Sequence, residues 1–146
     1  MKKALIVSLL LTVAFVVFTV LKTPIGKSKI ILTTDPPPDY MIKDLEEQMG
    51  CAKRAGFIIK KPTLRTMKPP FNSKTPNGLA YMDLDIIVLI PFASYETLAH
   101  ELGHIIDAQT KRKGHPFFAD KQNLDIQSFA DAVKEVILKE CALIKS

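Results

Sequence analysis

The run His100-Glu101-Leu102-Gly103-His104 places two imidazoles four residues apart with a carboxylate between them. On a helix that spacing puts both histidines on one face, one turn above the other, so their rings can converge on one metal ion. Glu101, about 100° further round the helix, is close enough to reach a water there without being a ligand. Chance would produce H-E-x-x-H in only about 0.2% of shuffled chains of this composition. The alternative, two ordinary hydrogen-bonded histidines on a surface helix, has to accept that coincidence. Zn2+ is the expected cofactor, because imidazole and carboxylate donors suit its tetrahedral site and leave one position for water.

Four further polar residues are candidates near this helix. Asp107 lies one turn beyond His104 and could accept a hydrogen bond from an imidazole, or simply be exposed in the last turn. Tyr81, Tyr95 and His115 are each polar enough to stabilise an oxyanion, and the sequence does not select among them.

Residues 79–106, an extended stretch followed by the H-E-x-x-H helix, resemble the zincin metallopeptidases. The metzincin extension fails, because Asp107 stands at its glycine and Thr110 at its third ligand. The gluzincin branch takes a glutamate from a following helix, and Gln127-Ser128-Phe129-Ala130-Asp131 resembles that segment. Carried over by position, Gln127 would hold the metal and Asp131 would orient a histidine. A carboxylate is the better zinc ligand, and a small shift of the last helix would bring Asp131 onto the metal, so the expected ligands are His100, His104 and Asp131. Gln127 and then His115 are the alternatives. The resemblance implies a peptidase in which Glu101 is the catalytic base and the strand around Ile86 holds an extended peptide or protein substrate. The rivals are a zincin-derived binding or regulatory module, suggested by Gln127, and a small membrane-tethered structural protein.

The elements that must position these residues follow from periodicity. The apolar run Ile86–Ile90 reads as a buried strand ended by Pro91. Ser94 is an N-cap, and Leu98, Leu102, Ile105 and Ile106 form the inner stripe of a helix over about 95–110. Gly114 and Pro116 break the chain, and a last helix begins near Leu124 with Ile126, Phe129, Ala130, Val133, Ile137 and Leu138 inward. Upstream, Asp39 opens a helix through Tyr40, Met41, Leu45, Met49 and Ala52 that stops at Gly56. Lys29–Thr34 and Phe57–Ile59 read as short strands, and 62–78 as a long irregular excursion. The fold class is α+β: a short sheet packed on the H-E-x-x-H helix and a C-terminal helix, in one domain over 23–146.

The chain has 146 residues, enough for one core, and its 47% apolar content rules out disorder. Residues 4–21 carry no charge and follow Lys2-Lys3, which reads as a signal anchor or signal peptide over 1–22 with the remainder exported. Its length and the lack of a small-x-small cleavage site favour the anchor. With 20 basic against 15 acidic residues and no basic helix, no nucleic-acid partner is expected. Cys51 and Cys141 have no metal-site spacing; they are either a disulfide, which export permits, or two buried thiols.

Overall fold

A computed structural model of the chain describes residues 25–68 and 77–146. It divides into two compact units, Met1–Thr33 and Thr34–Ser146. The described part of the first is one helix, α1 (Ile25–Thr33), closed by the Thr33 hydroxyl donating to the Lys29 carbonyl at 3.0 Å. This corrects the strand expected over 29–34. Its β-branched residues favour a strand only when a neighbouring strand is there to pair with them. Just beyond it, in the second unit, Asp35 makes a single antiparallel bridge to Thr66. Residues 4–21 lie outside the described residues, among which no helix is long and apolar enough to cross a membrane.

The second unit is α+β. Its elements are α2 (Asp39–Arg54), β1 (Thr63–Thr66), β2 (Gly78–Tyr81), β3 (Ile86–Leu89), α3 (Tyr95–Thr110) and α4 (Ile126–Lys145). The sheet has the order β1-β3-β2, with β1 parallel and β2 antiparallel to β3. All four residues of β3 are buried, as a continuous apolar run demands of a central strand covered on both faces. Phe57–Ile59 is not a strand. The Phe57 N–H turns back to the Ala52 carbonyl, and its ring stacks on Phe118, which keeps the segment off the sheet. Thr63–Thr66, read as part of the irregular excursion, supplies the strand instead.

α3 begins where its cap requires: Ser94 Oγ accepts the Thr97 N–H at 3.1 Å. α4 begins after Asp125, whose carboxylate accepts the N–H groups of Gln127 and Ser128, both at 3.0 Å. Phe129, Ala130, Val133 and Ile137 are buried, but Ile126, expected inward, is 48% exposed because it sits in the first turn, beyond the packed length of α3. A disulfide joins Cys51 of α2 to Cys141 of α4 across 90 residues of sequence.

Candidate functional site

α3 and α4 cross at Gly103. A Cβ built there would stand 2.7 Å from the Ala130 carbonyl oxygen and 2.9 Å from the Ala130 Cα, so no other residue permits this approach unless the backbones part. The crossing brings the first two turns of α4 beside the histidines. His100 Nε2 lies 3.2 Å from His104 Nε2 and 3.0 Å from Gln127 Oε1. On the ring's other side, His100 Nδ1 lies 2.9 Å from Asp131 Oδ1.

The imidazole therefore has its two nitrogens divided between two residues of α4, one turn apart. Asp131, the expected third ligand, meets Nδ1 and points away from the place where the two Nε2 atoms converge. Gln127 occupies that place. The helix needs no shift to produce this arrangement, because residues 127 and 131 fall on one face and the ring spans the distance between them. Lys134 also donates to Asp131 Oδ1, at 2.9 Å. That ammonium, helped by His100, holds the Asp131 carboxyl below its usual pKa.

Proton counting shows what the cluster lacks. With Nδ1–H of His100 donated to Asp131, Nε2 of the same ring carries a lone pair. His104 Nδ1 is buried with no protein partner among the described residues: with its one proton on Nε2 the ring donates to His100, and with the proton on Nδ1 it offers the Nε2 lone pair to a metal. Gln127 Oε1 then faces the same lone pair with no hydrogen between them. Turning the Gln127 amide over, so that its NH2 donates to that lone pair, resolves the conflict within the protein, and a metal ion among the three atoms resolves it as well. The spacing suits the ion: tetrahedral zinc with bonds of about 2.0 Å has donor–donor edges of about 3.3 Å. Among the described residues no three His, Cys, Asp or Glu side chains gather as a metal group. The third donor here is an amide oxygen. Burial, and next the charge of His100, push the His104 pKa down, which keeps its ring neutral and able to act as a ligand.

Glu101 is 7% exposed, and burial raises its carboxyl pKa against the opposing charge of His100. It stands against β2 at Gly78, where a Cβ would lie 2.9 Å from Glu101 Cγ and 2.7 Å from Leu89 Cδ2. Gly78, read in the sequence as the end of the irregular excursion, is thus a strand residue whose missing side chain makes room for the carboxylate. A cavity of about 840 Å3 opens over these groups, walled by β2 on one side and by Asp125, Ile126 and Gln127 on the other. The strand along this cavity is β2. β3, expected to hold substrate, has both edges paired, whereas among the described residues no strand pairs with the outer edge of β2.

The remaining candidates lie elsewhere. His115 packs against Phe57 with ring centroids 5.0 Å apart, and its Nδ1 accepts the Phe117 N–H. Tyr95 donates to Glu47 at 2.9 Å, and burial with that contact pushes its phenol pKa up. Tyr81 does not line the cavity. Asp107 pairs with Arg112, not with an imidazole, at 2.8 and 2.9 Å.

Arg112 is a residue that the sequence reading missed. Its guanidinium holds Asp107, reaches the carbonyls of Lys121, Gln122 and Leu124, and lies 4.3 Å over the Phe129 ring. It thereby ties the end of α3 to the loop that delivers Gln127. To do so, Lys111 and Arg112 both take left-handed backbone, φ 52° and 55°, which no local sequence signal announces. Gly103 did leave a signal: a glycine inside a strong helical pattern costs about 1 kcal/mol and calls for a packing reason. No protein-family model, curated protein or solved structure matches this chain.

Proposed function

We propose that the chain is a zinc-dependent peptidase of zincin-like, gluzincin-related type, with His100, His104 and Gln127 as the metal's protein ligands. The observation that carries the reading is the placement of Gln127 Oε1 and His104 Nε2 at 3.0 and 3.2 Å from His100 Nε2, one residue from a buried carboxylate. Bound there, zinc would polarise the scissile carbonyl and acidify the attacking water.

The chain's own groups do the rest. Glu101, its pKa raised by burial toward the range useful for proton transfer, takes the water's proton and passes it to the leaving amine. Asp131 receives the His100 Nδ1–H and so directs Nε2 at the metal. The free edge of β2 offers backbone N–H and C=O groups along the cavity, where an extended peptide can add as a further strand. Exposed Leu79 and Ile126 make the mouth of that cavity apolar. In this reading residues 4–21 anchor the chain in a membrane, with the catalytic module on the exported side.

A neutral amide binds zinc less tightly than a carboxylate, and this favours a second reading, a zincin-derived module that binds peptides without cutting them. One experiment separates the two. The full chain, purified and dialysed, should retain one zinc, which His100→Ala/His104→Ala removes, and should cleave an unstructured polypeptide such as casein. Glu101→Gln should keep the zinc and lose about 10²–10⁴-fold in rate. Zinc retained without cleavage in the parent selects the binding module, and zinc content near zero defeats both readings.

A further inference from the structure

Ile58 stands 89% exposed on the extended segment that leaves α2. A single apolar residue on a surface needs no explanation, but this one forms a ridge between two grooves. One groove, of about 490 Å3, continues over Met49, Phe57 and Ile59 with Lys53 in its wall. The other, of about 240 Å3, runs over Phe57 and Phe118 with Lys113 in its wall. Neither is lined by a carboxylate. Lys60 follows two residues on, and Lys61 pairs with Glu46 at 2.9 Å. Among the described residues no ion pair holds Lys53, Lys60 or Lys113.

The ridge is rigid. Gln109 accepts the Lys60 N–H at 2.7 Å and donates to the Lys60 carbonyl at 3.1 Å. Phe57, stacked on Phe118, fixes the other side of Ile58. The aliphatic side chain is held outward and cannot fold back into the core.

We propose that this ridge is a bilayer-contact surface: Ile58 enters the headgroup region of an anionic membrane while Lys53, Lys60 and Lys113 lie level with its phosphates. Charge complementarity selects this occupant. Three lysines without an ion pair among the described residues accompany one protruding aliphatic residue, two of them in groove walls that Ile58 shares. Lysine stems can lie along acyl chains while their ammonium groups remain at the phosphates. The inference is independent of the zinc site, and the uncharged run 4–21 would keep the module beside such a surface.

The chain contains no tryptophan, so Ile58→Trp introduces a single indole reporter. In full-length protein reconstituted into phosphatidylglycerol vesicles, its emission should shift to shorter wavelength and be quenched by lipids brominated on their acyl chains. Phe92→Trp is the control, since Phe92 is 91% exposed and lines neither groove. It should emit as a water-exposed indole. Replacing Lys53 or Lys113 by Gln in the Ile58→Trp background should weaken contact about fivefold per lysine, and high salt should act in the same direction. The proposal is overturned if the Ile58→Trp reporter emits as in water. Equal quenching in phosphatidylcholine vesicles, or equal quenching of the Phe92→Trp control, also overturns it. A blue shift that grows with protein concentration in detergent alone overturns it in favour of a second copy of the chain.

Discussion

The two ends of α4 do opposite work. At its C-terminal end Cys141 is 4% exposed and bonded to Cys51, and the Tyr95 hydroxyl, whose proton goes to Glu47, lies 3.3 Å from its sulfur. Lys145 closes the same end on Glu47 at 2.8 Å. At its N-terminal end Gln127 and Asp131 are exposed, and they divide the two nitrogens of the His100 ring between them. One end spends covalent and apolar contact on holding the helix in place. That security lets the other end keep a polar arrangement that would not hold itself together, since a buried or crowded polar group without a partner is destabilising.

Cutting the secured end should have the largest effect. Cys51→Ser/Cys141→Ser should lower the free energy of unfolding by about 2–4 kcal/mol, read by urea titration against the oxidised parent. If the division of labour is right, zinc affinity of the folded fraction changes little. A loss of zinc affinity larger than the loss of stability would show that the disulfide also aligns the site.

The crossing between the ends comes next. Gly103→Ala places a methyl group against the Ala130 backbone and should cost about 1–3 kcal/mol in stability by overpacking. Unlike loss of the disulfide, it should also move Gln127 and Asp131 away from His100 and weaken zinc binding by more than stability alone explains. Unchanged zinc affinity in Gly103→Ala would break the comparison at its centre.

The smallest effects belong to the site end itself. Asp131→Asn should weaken zinc binding by about 10–100-fold with stability nearly unchanged, as expected for a residue that orients a ligand. Lys134→Met should act in the opposite sense and more weakly. Relieved of the ammonium, the Asp131 carboxylate accepts the His100 Nδ1–H more strongly and makes Nε2 the better donor, which competitive chelator titration would detect as tighter zinc binding.

What was legible in the sequence divides along the same line. The spacing of His100, Glu101 and His104, the cap at Ser94 and the stripe of α3 are local, and the structure reproduces them. The inner face of α4 was legible from Phe129 to Ile137, whereas Leu138, expected inward, is only half-buried and Cys141 is buried in its stead. Two expected strands, Lys29–Thr34 and Phe57–Ile59, are not strands, and Thr63–Thr66, of plain composition, is one, because pairing partners are distant in sequence and β3 is the partner it meets. The contacts of Gln127 and Asp131 follow the positional alternative from the gluzincin pattern, which the preference for a carboxylate ligand had set aside in favour of Asp131. Helical phase shows that both face His100, but which ring nitrogen each one meets depends on how closely α4 approaches, and Gly103 with Ala130 sets that distance. The Arg112 contacts depend on two left-handed residues in succession, a conformation that neither Lys111 nor Arg112 favours.

Gly103 has a consequence for how the five-residue pattern is to be used as a search term. Written H-E-x-x-H, it treats the third and fourth letters as wildcards. In this molecule Leu102 is fully buried and Gly103 abuts the backbone of a helix whose start lies more than twenty residues away in sequence. A query that demands an apolar residue, then glycine, and then a small residue about 27 positions later would be far more selective than the motif alone. It would retrieve chains by the joint between two helices as well as by the ligands that the joint brings together.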